Sequence, residues 1–124
     1  MTIHYTYERA DGYLIIRATG MGKSLDEFME YAALAADFCD GENCDRLLMD
    51  DTRLRVMVGE IAAEALIKWL SEKDMTKTWS KIAKISGPES QHISAIFVEM
   101  AKQYGLNFRL FDDLPAAIAW LEED

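Results

Sequence analysis

The chain has 124 residues, near the commonest size of one domain, so a single core is expected over residues 1–124 rather than two. Half of the residues are hydrophobic, which is enough to offset the entropy of folding and excludes a disordered polyelectrolyte. Thirteen basic residues against twenty-two acidic ones leave a net charge of −9, which repels phosphate backbones and anionic lipid headgroups, so neither nucleic acid nor a membrane is expected as partner.

The first residues alternate, with Ile3, Tyr5 and Tyr7 between His4, Thr6 and Glu8, as a half-buried strand does. No apolar signal segment interrupts this pattern and no run is long enough to span a bilayer, so a cytoplasmic location is expected. Asp11-Gly12 then separates that strand from a second over residues 13–18, the signature of a hairpin with a type I′ turn. Ser24 and Glu27 form a capping box, and Leu25, Phe28, Ala32, Ala35 and Cys39 continue at helical spacing until Asp40-Gly41. Residues 46–50 form an apolar run ending in acid, the pattern of a buried parallel strand. Residues 60–71 return to helical spacing through Ile61, Ala65 and Trp69, with Glu64 and Lys68 paired one turn apart.

A strand is expected over residues 81–85, broken by Ser86-Gly87-Pro88. Ile93, Ile96, Phe97, Met100 and Tyr104 mark an amphipathic helix stopped by Gly105. Leu106, Phe108 and Leu110 alternate as a one-sided strand, and Asp113 opens a last helix with Pro115 in its first turn and Leu114, Ile118 and Leu121 along one face. The order is ββαβαβαβα. An N-terminal β-hairpin followed by repeated βα units predicts an α/β single domain with a mixed, mostly parallel sheet.

Few residues offer chemistry. Cys39 and Cys44 are too few for a cysteine-only zinc site and are expected to be reduced, with Cys39 a buried inert thiol. His4 and His92 have no ligand or nucleophile at a useful spacing, so no metal, cofactor or catalytic residue is assigned. Gly20-Met21-Gly22-Lys23-Ser24 has the placement of a phosphate-binding loop, but Arg17 stands where the opening glycine belongs; a nucleotide enzyme on this degenerate loop ranks third among the functional readings. Trp79 lies in the polar stretch 77–80 and is expected to be partly exposed.

Sequential crossovers predict that residues 20–24, 50–53, 86–90 and 111–113 gather at the carboxyl edge of the sheet, where ligands of open α/β sheets bind. The candidate contact residues are therefore Asp50, Asp51, Thr52, Arg53 and Ser86.

Asp11-Gly12-Tyr13-Leu14, Cys44-Asp45-Arg46-Leu47-Leu48-Met49-Asp50, Lys81-Ile82-Ala83, and Phe108-Arg109-Leu110-Phe111 running into Ala117-Ile118-Ala119-Trp120-Leu121 together resemble the SpoIIAA-like family of small bacterial proteins, with a STAS-type fold. The resemblance implies an anti-sigma-factor-antagonist-like topology. In that wider fold a phosphorylated Ser opens the helix after the central strand; here Val58-Gly59-Glu60 stands at that point, without Ser or Thr. The first functional expectation is accordingly a non-enzymatic regulatory or protein-interaction module without that switch. The alternative is a carrier or sensor of a small apolar or lipid-like ligand, to which a deep apolar cavity would point. A homodimer is left open.

Overall fold

The computed structural model describes residues 3–123; residues 1, 2 and 124 of the expected domain lie outside it. Five strands, β1 (Ile3–Arg9), β2 (Leu14–Gly22), β3 (Arg46–Val56), β4 (Lys81–Ser86) and β5 (Phe108–Phe111), stand in one sheet in sequence order. β1 runs antiparallel to β2, and the remaining neighbours are parallel. Four helices follow the strands as expected: α1 (Leu25–Gly41), α2 (Glu60–Glu72), α3 (Gln91–Gln103) and α4 (Leu114–Glu122). The ββαβαβαβα order holds.

The sheet is covered unequally. On one face Phe28, Tyr31 and Ala35 of α1, Leu66, Ile67 and Leu70 of α2, and Val98 and Ala101 of α3 pack on Leu14, Ile16, Leu47, Ile82 and Phe108. On the other, α4 alone brings Ala117, Trp120 and Leu121 onto Tyr13, Ile15, Leu48, Ala83 and Ile85. Fully burying one such side chain contributes roughly 1.5–3 kcal/mol, so the three-helix face carries most of the fold's hydrophobic stabilisation. The C-terminus of α4 has no basic residue of its own. Arg46 and Lys81, at the starts of β3 and β4, donate to its last carbonyls instead: Arg46 to Leu121 and Glu123, and Lys81 to Trp120 and Glu123. Two cations at the negative end of the helix dipole thus fix α4 to the sheet.

Several local expectations are corrected. Among the two turn residues only Gly12 has positive φ, so the hairpin is not type I′. β2 extends to Gly22 and β3 to Val56, well past the predicted ends, because Thr19–Gly22 pair with Arg53–Val56 as a longer parallel arm. Within that arm Ala18 of β2 lies opposite both Asp51 and Thr52, a bulge in β3. The bulge breaks the two-residue alternation, so Asp51 and Leu54 both face the helices while Thr52 and Arg53 are both exposed. Ile61, Tyr104 and Leu114 are exposed rather than on the apolar stripes, and Trp79 is buried, not partly exposed.

Candidate functional site

The five candidate contacts do not form one cluster. Asp51 and Ser86 point under α1 and α3 and are buried, contrary to a role as surface contacts at a strand end. Asp51 lies midway along β3, and its Oδ1 accepts a hydrogen bond from the Tyr31 hydroxyl at 2.7 Å. Its Oδ2 faces Lys84 Nζ at 3.0 Å, in an ion pair whose two side chains are only 1% and 8% exposed. Burial, followed by the negative charge of Asp51, pushes the Tyr31 hydroxyl well above its ordinary range, so the hydroxyl stays protonated as the donor. Ser86 Oγ meets Ser94 Oγ of α3 at 2.7 Å, also buried. The loop after β4 is seated against the β3 arm: Val56 N donates to Ser90 Oγ at 3.0 Å, and Gly87 lies so close to Thr52 that a Cβ would come within 2.5 Å of its carbonyl oxygen.

Asp50, Thr52 and Arg53 lie on the opposite face, in the part of the sheet that α4 leaves open. With His4, Thr6, Arg17 and Thr19 they line a shallow polar groove across β1, β2 and β3. Asp50 accepts from the Thr52 backbone N–H at 3.3 Å and from its hydroxyl, and Arg17 pairs with Glu8 at 2.6 Å. Arg53 makes no ion pair among the described residues and is exposed.

Between the sheet and α1, α2 and α3 lies a chamber of about 70 Å³, lined by apolar side chains including Phe28, Leu66, Trp79, Phe97 and Phe108, with Lys84 in its wall. That is several times the ~10–15 Å³ one water needs. Leu25, Val58 and Ala62 belong both to this chamber and to a shallow surface depression that also holds Met57 and Ile61. Met57 and Ile61 are 51% and 89% exposed, so the chamber opens toward an apolar rim at the N-termini of α1 and α2. Sequence reasoning missed Lys84, Tyr31, Met57 and Ile61 as members of any site. Lys84 carried a signal, being the one charge inside the apolar run of β4. Ile61 carried none, because it sits in register with an apolar stripe.

The phosphate-loop expectation fails on geometry. Gly20, Met21 and Gly22 are part of β2, paired with Leu54, Arg55 and Val56, and the Gly22 carbonyl accepts from Met57 N at 2.8 Å. A Cβ on Gly22 would fall 2.2 Å from the Phe28 ring, so this glycine serves close packing, not phosphate wrapping. Ser24 caps α1 as expected, with Glu27 N donating to Ser24 Oγ, but the return bond to the Glu27 carboxylate comes from Lys23 N, one residue before the cap, at 3.2 Å. That carboxylate occupies the helix N-terminus an anion would need. The helix after β3 opens at Gly59 with no side-chain cap. Cys39 is buried, which pushes its thiol up to about 11, and Cys44 is half-buried; neither forms a disulfide. Among the described residues no group of three or more His, Cys, Asp or Glu side chains gathers as metal ligands, and no helix is long and apolar enough to cross a membrane.

The sequence matches no family model and no curated protein. Among solved structures the chain is similar to an anti-sigma factor antagonist from Mycobacterium paratuberculosis, with 15% identity and a TM-score of 0.64 over 98% of this chain and 96% of that one. It is also similar to an uncharacterised protein from Shewanella loihica PV-4 with a SpoIIAA-like fold, with 22% identity and a TM-score of 0.61 over 97% and 94%. At these identities the likeness establishes the fold. The chain has a STAS-type, SpoIIAA-like α/β fold, as the resemblance in the sequence implies.

Proposed function

We propose that this chain is a non-enzymatic interaction module that binds a protein partner through the apolar rim of α2. The observation carrying this reading is the exposure of Ile61 and Met57 side by side, since an apolar side chain 89% exposed at a helix start contributes nothing to the fold it stands on. The likeness to an anti-sigma factor antagonist supports the same class of function. Asp50, Thr52 and Arg53 are retained as proposed polar contacts on the open sheet face, and Asp51 and Ser86 are withdrawn to the interior. The test is comparative affinity capture from the source cell's lysate, with the wild-type chain, Ile61→Asp and Arg53→Glu as baits. A protein recovered by the wild type and lost with Ile61→Asp supports the rim. Identical recovery with all three baits overturns both surfaces.

The apolar chamber favours a second reading, a carrier or sensor of a small apolar molecule, reached through the opening beside Leu25 and Val58. Native mass spectrometry of gently purified protein tests it directly, because a retained small molecule adds a fixed mass that denaturation removes.

A further inference from the structure

The buried pair in the wall of the chamber is incompletely satisfied. A lysine ammonium carries three N–H donors and a carboxylate accepts on both oxygens. Asp51 Oδ1 is served by Tyr31, but Oδ2 receives no hydrogen bond, because Lys84 approaches it as an ion partner outside hydrogen-bond geometry. The Lys84 ammonium makes no directed hydrogen bond among the described residues, and its other close neighbour is the Phe97 ring, 5.7 Å from Nζ to centroid. Among the described residues, the side-chain atoms left wholly buried without a hydrogen bond are Asp51 Oδ2 and Trp79 Nε1. Each such group in a native fold calls for a partner, as do the free N–H groups of the Lys84 ammonium beside Asp51. Of the other polar side chains at the wall, Tyr31 and Ser94 are already engaged while the Trp79 indole N–H is not, so a guest bearing an acceptor would displace any water bridging Lys84 and Asp51 Oδ2.

Resting on the second reading above, we infer that the chamber takes a small apolar molecule bearing one neutral hydrogen-bond acceptor, a carbonyl or hydroxyl, which receives an N–H from Lys84. A neutral head fits better than a carboxylate because Asp51 already balances the lysine, and a further buried anion would have no counter-charge. The apolar lining takes the carbon skeleton, and the chamber's size limits it to a compact body unless the rim at Met57 and Ile61 opens.

The experiment titrates the protein, followed by amide NMR shifts, with 2-pentanone carrying a labelled carbonyl carbon, with n-pentane and with pentanoate. The same series is repeated on Lys84→Met/Asp51→Leu, which removes both charges together. The proposal expects the ketone to bind the wild type, its carbonyl carbon to move downfield as it accepts from the ammonium, and its affinity to fall at least tenfold relative to pentane in the double variant. If the ketone and pentane both bind and the variant changes them equally, recognition by Lys84 is overturned while the apolar chamber stands. Pentanoate binding more tightly than the ketone overturns the neutral head. If none of the three binds, the apolar-ligand reading itself falls and takes the inference with it. Should the double variant fail to fold, the wild type alone decides: a bound carbonyl carbon at its hydrocarbon-solvent position overturns the proposal.

Discussion

Replacing Asp51 by alanine leaves Lys84 charged beneath the helices with no counter-ion, and leaves the Tyr31 hydroxyl without its acceptor. Breaking one side of a buried ion pair costs about 3–5 kcal/mol, and an orphaned buried hydroxyl about 1–3 kcal/mol. The two overlap, because both arise at one carboxylate, so a total near 4 kcal/mol is expected against the ~5–15 kcal/mol of an ordinary domain. With a urea dependence of about 2 kcal/mol per molar, the unfolding midpoint should fall by about 2 M. Lys84→Met alone should cost a similar amount, whereas Lys84→Met/Asp51→Leu should lose under ~2 kcal/mol, since well-packed apolar replacements of a buried pair are often neutral. The assay is equilibrium urea unfolding of the wild type, Asp51→Leu, Lys84→Met and the double variant, read as a double-mutant cycle, with Asp51→Ala measured beside them. An Asp51→Ala midpoint close to wild type would refute the buried placement of Asp51, and a double variant equal to the sum of the singles would refute the pairing.

Stability should also fall at alkaline pH. The folded pKa of Tyr31 is raised above its ordinary 10.0 by burial, so below that value both states hold the proton and nothing changes. As pH rises past it the unfolded chain ionises while the fold must keep the proton, costing up to about 1.4 kcal/mol per pH unit. Tyr31→Phe should remove that component, and an unchanged slope in urea unfolding would contradict the assignment. Gly87→Ala should destabilise by about 1–3 kcal/mol, because its Cβ would meet the Thr52 backbone rather than a side chain that can turn away. Gly41→Ala, with nothing near its Cβ, should stay within about 0.5 kcal/mol, so equal effects would argue against the contact. A thiol reagent near neutral pH should modify Cys44 in the folded protein and Cys39 only on unfolding, since Cys39 is buried with its thiol pushed to about 11. Two rapidly reacting thiols would contradict the packing of α1.

Element order was legible wherever local chemistry decided it. Ser24 with Glu27 and Asp113 with Ala116 made their caps as written, Gly105 lies just past α3, and Cys39 went inside with the stripe of α1. Periodicity failed where a neighbour mattered more than the chain's own pattern. Asp50, Thr52, Arg53 and Arg55 look like a loop by composition, yet β2 pairs with that stretch, and the polar side chains of Asp50, Thr52 and Arg53 line a face no helix covers.

What the sequence by itself determined, then, is the ββαβαβαβα order, the caps of α1 and α4 and a mixed, mostly parallel sheet, which follow from the spacing, residue type and succession of its segments. What only the tertiary structure decided is which face each side chain meets. Asp51 goes inward with Leu47 and Met49, but one bulge opposite Ala18 put Thr52 and Arg53 outward together and Leu54 inward. The pairing of Asp51 with Lys84 and Tyr31 joins three elements far apart in the chain, at distances no periodicity encodes. The exposure of Ile61 is equally non-local: α2 packs on its Ala63, Leu66, Ile67 and Leu70 side, which leaves Ile61, in its first turn, 89% exposed.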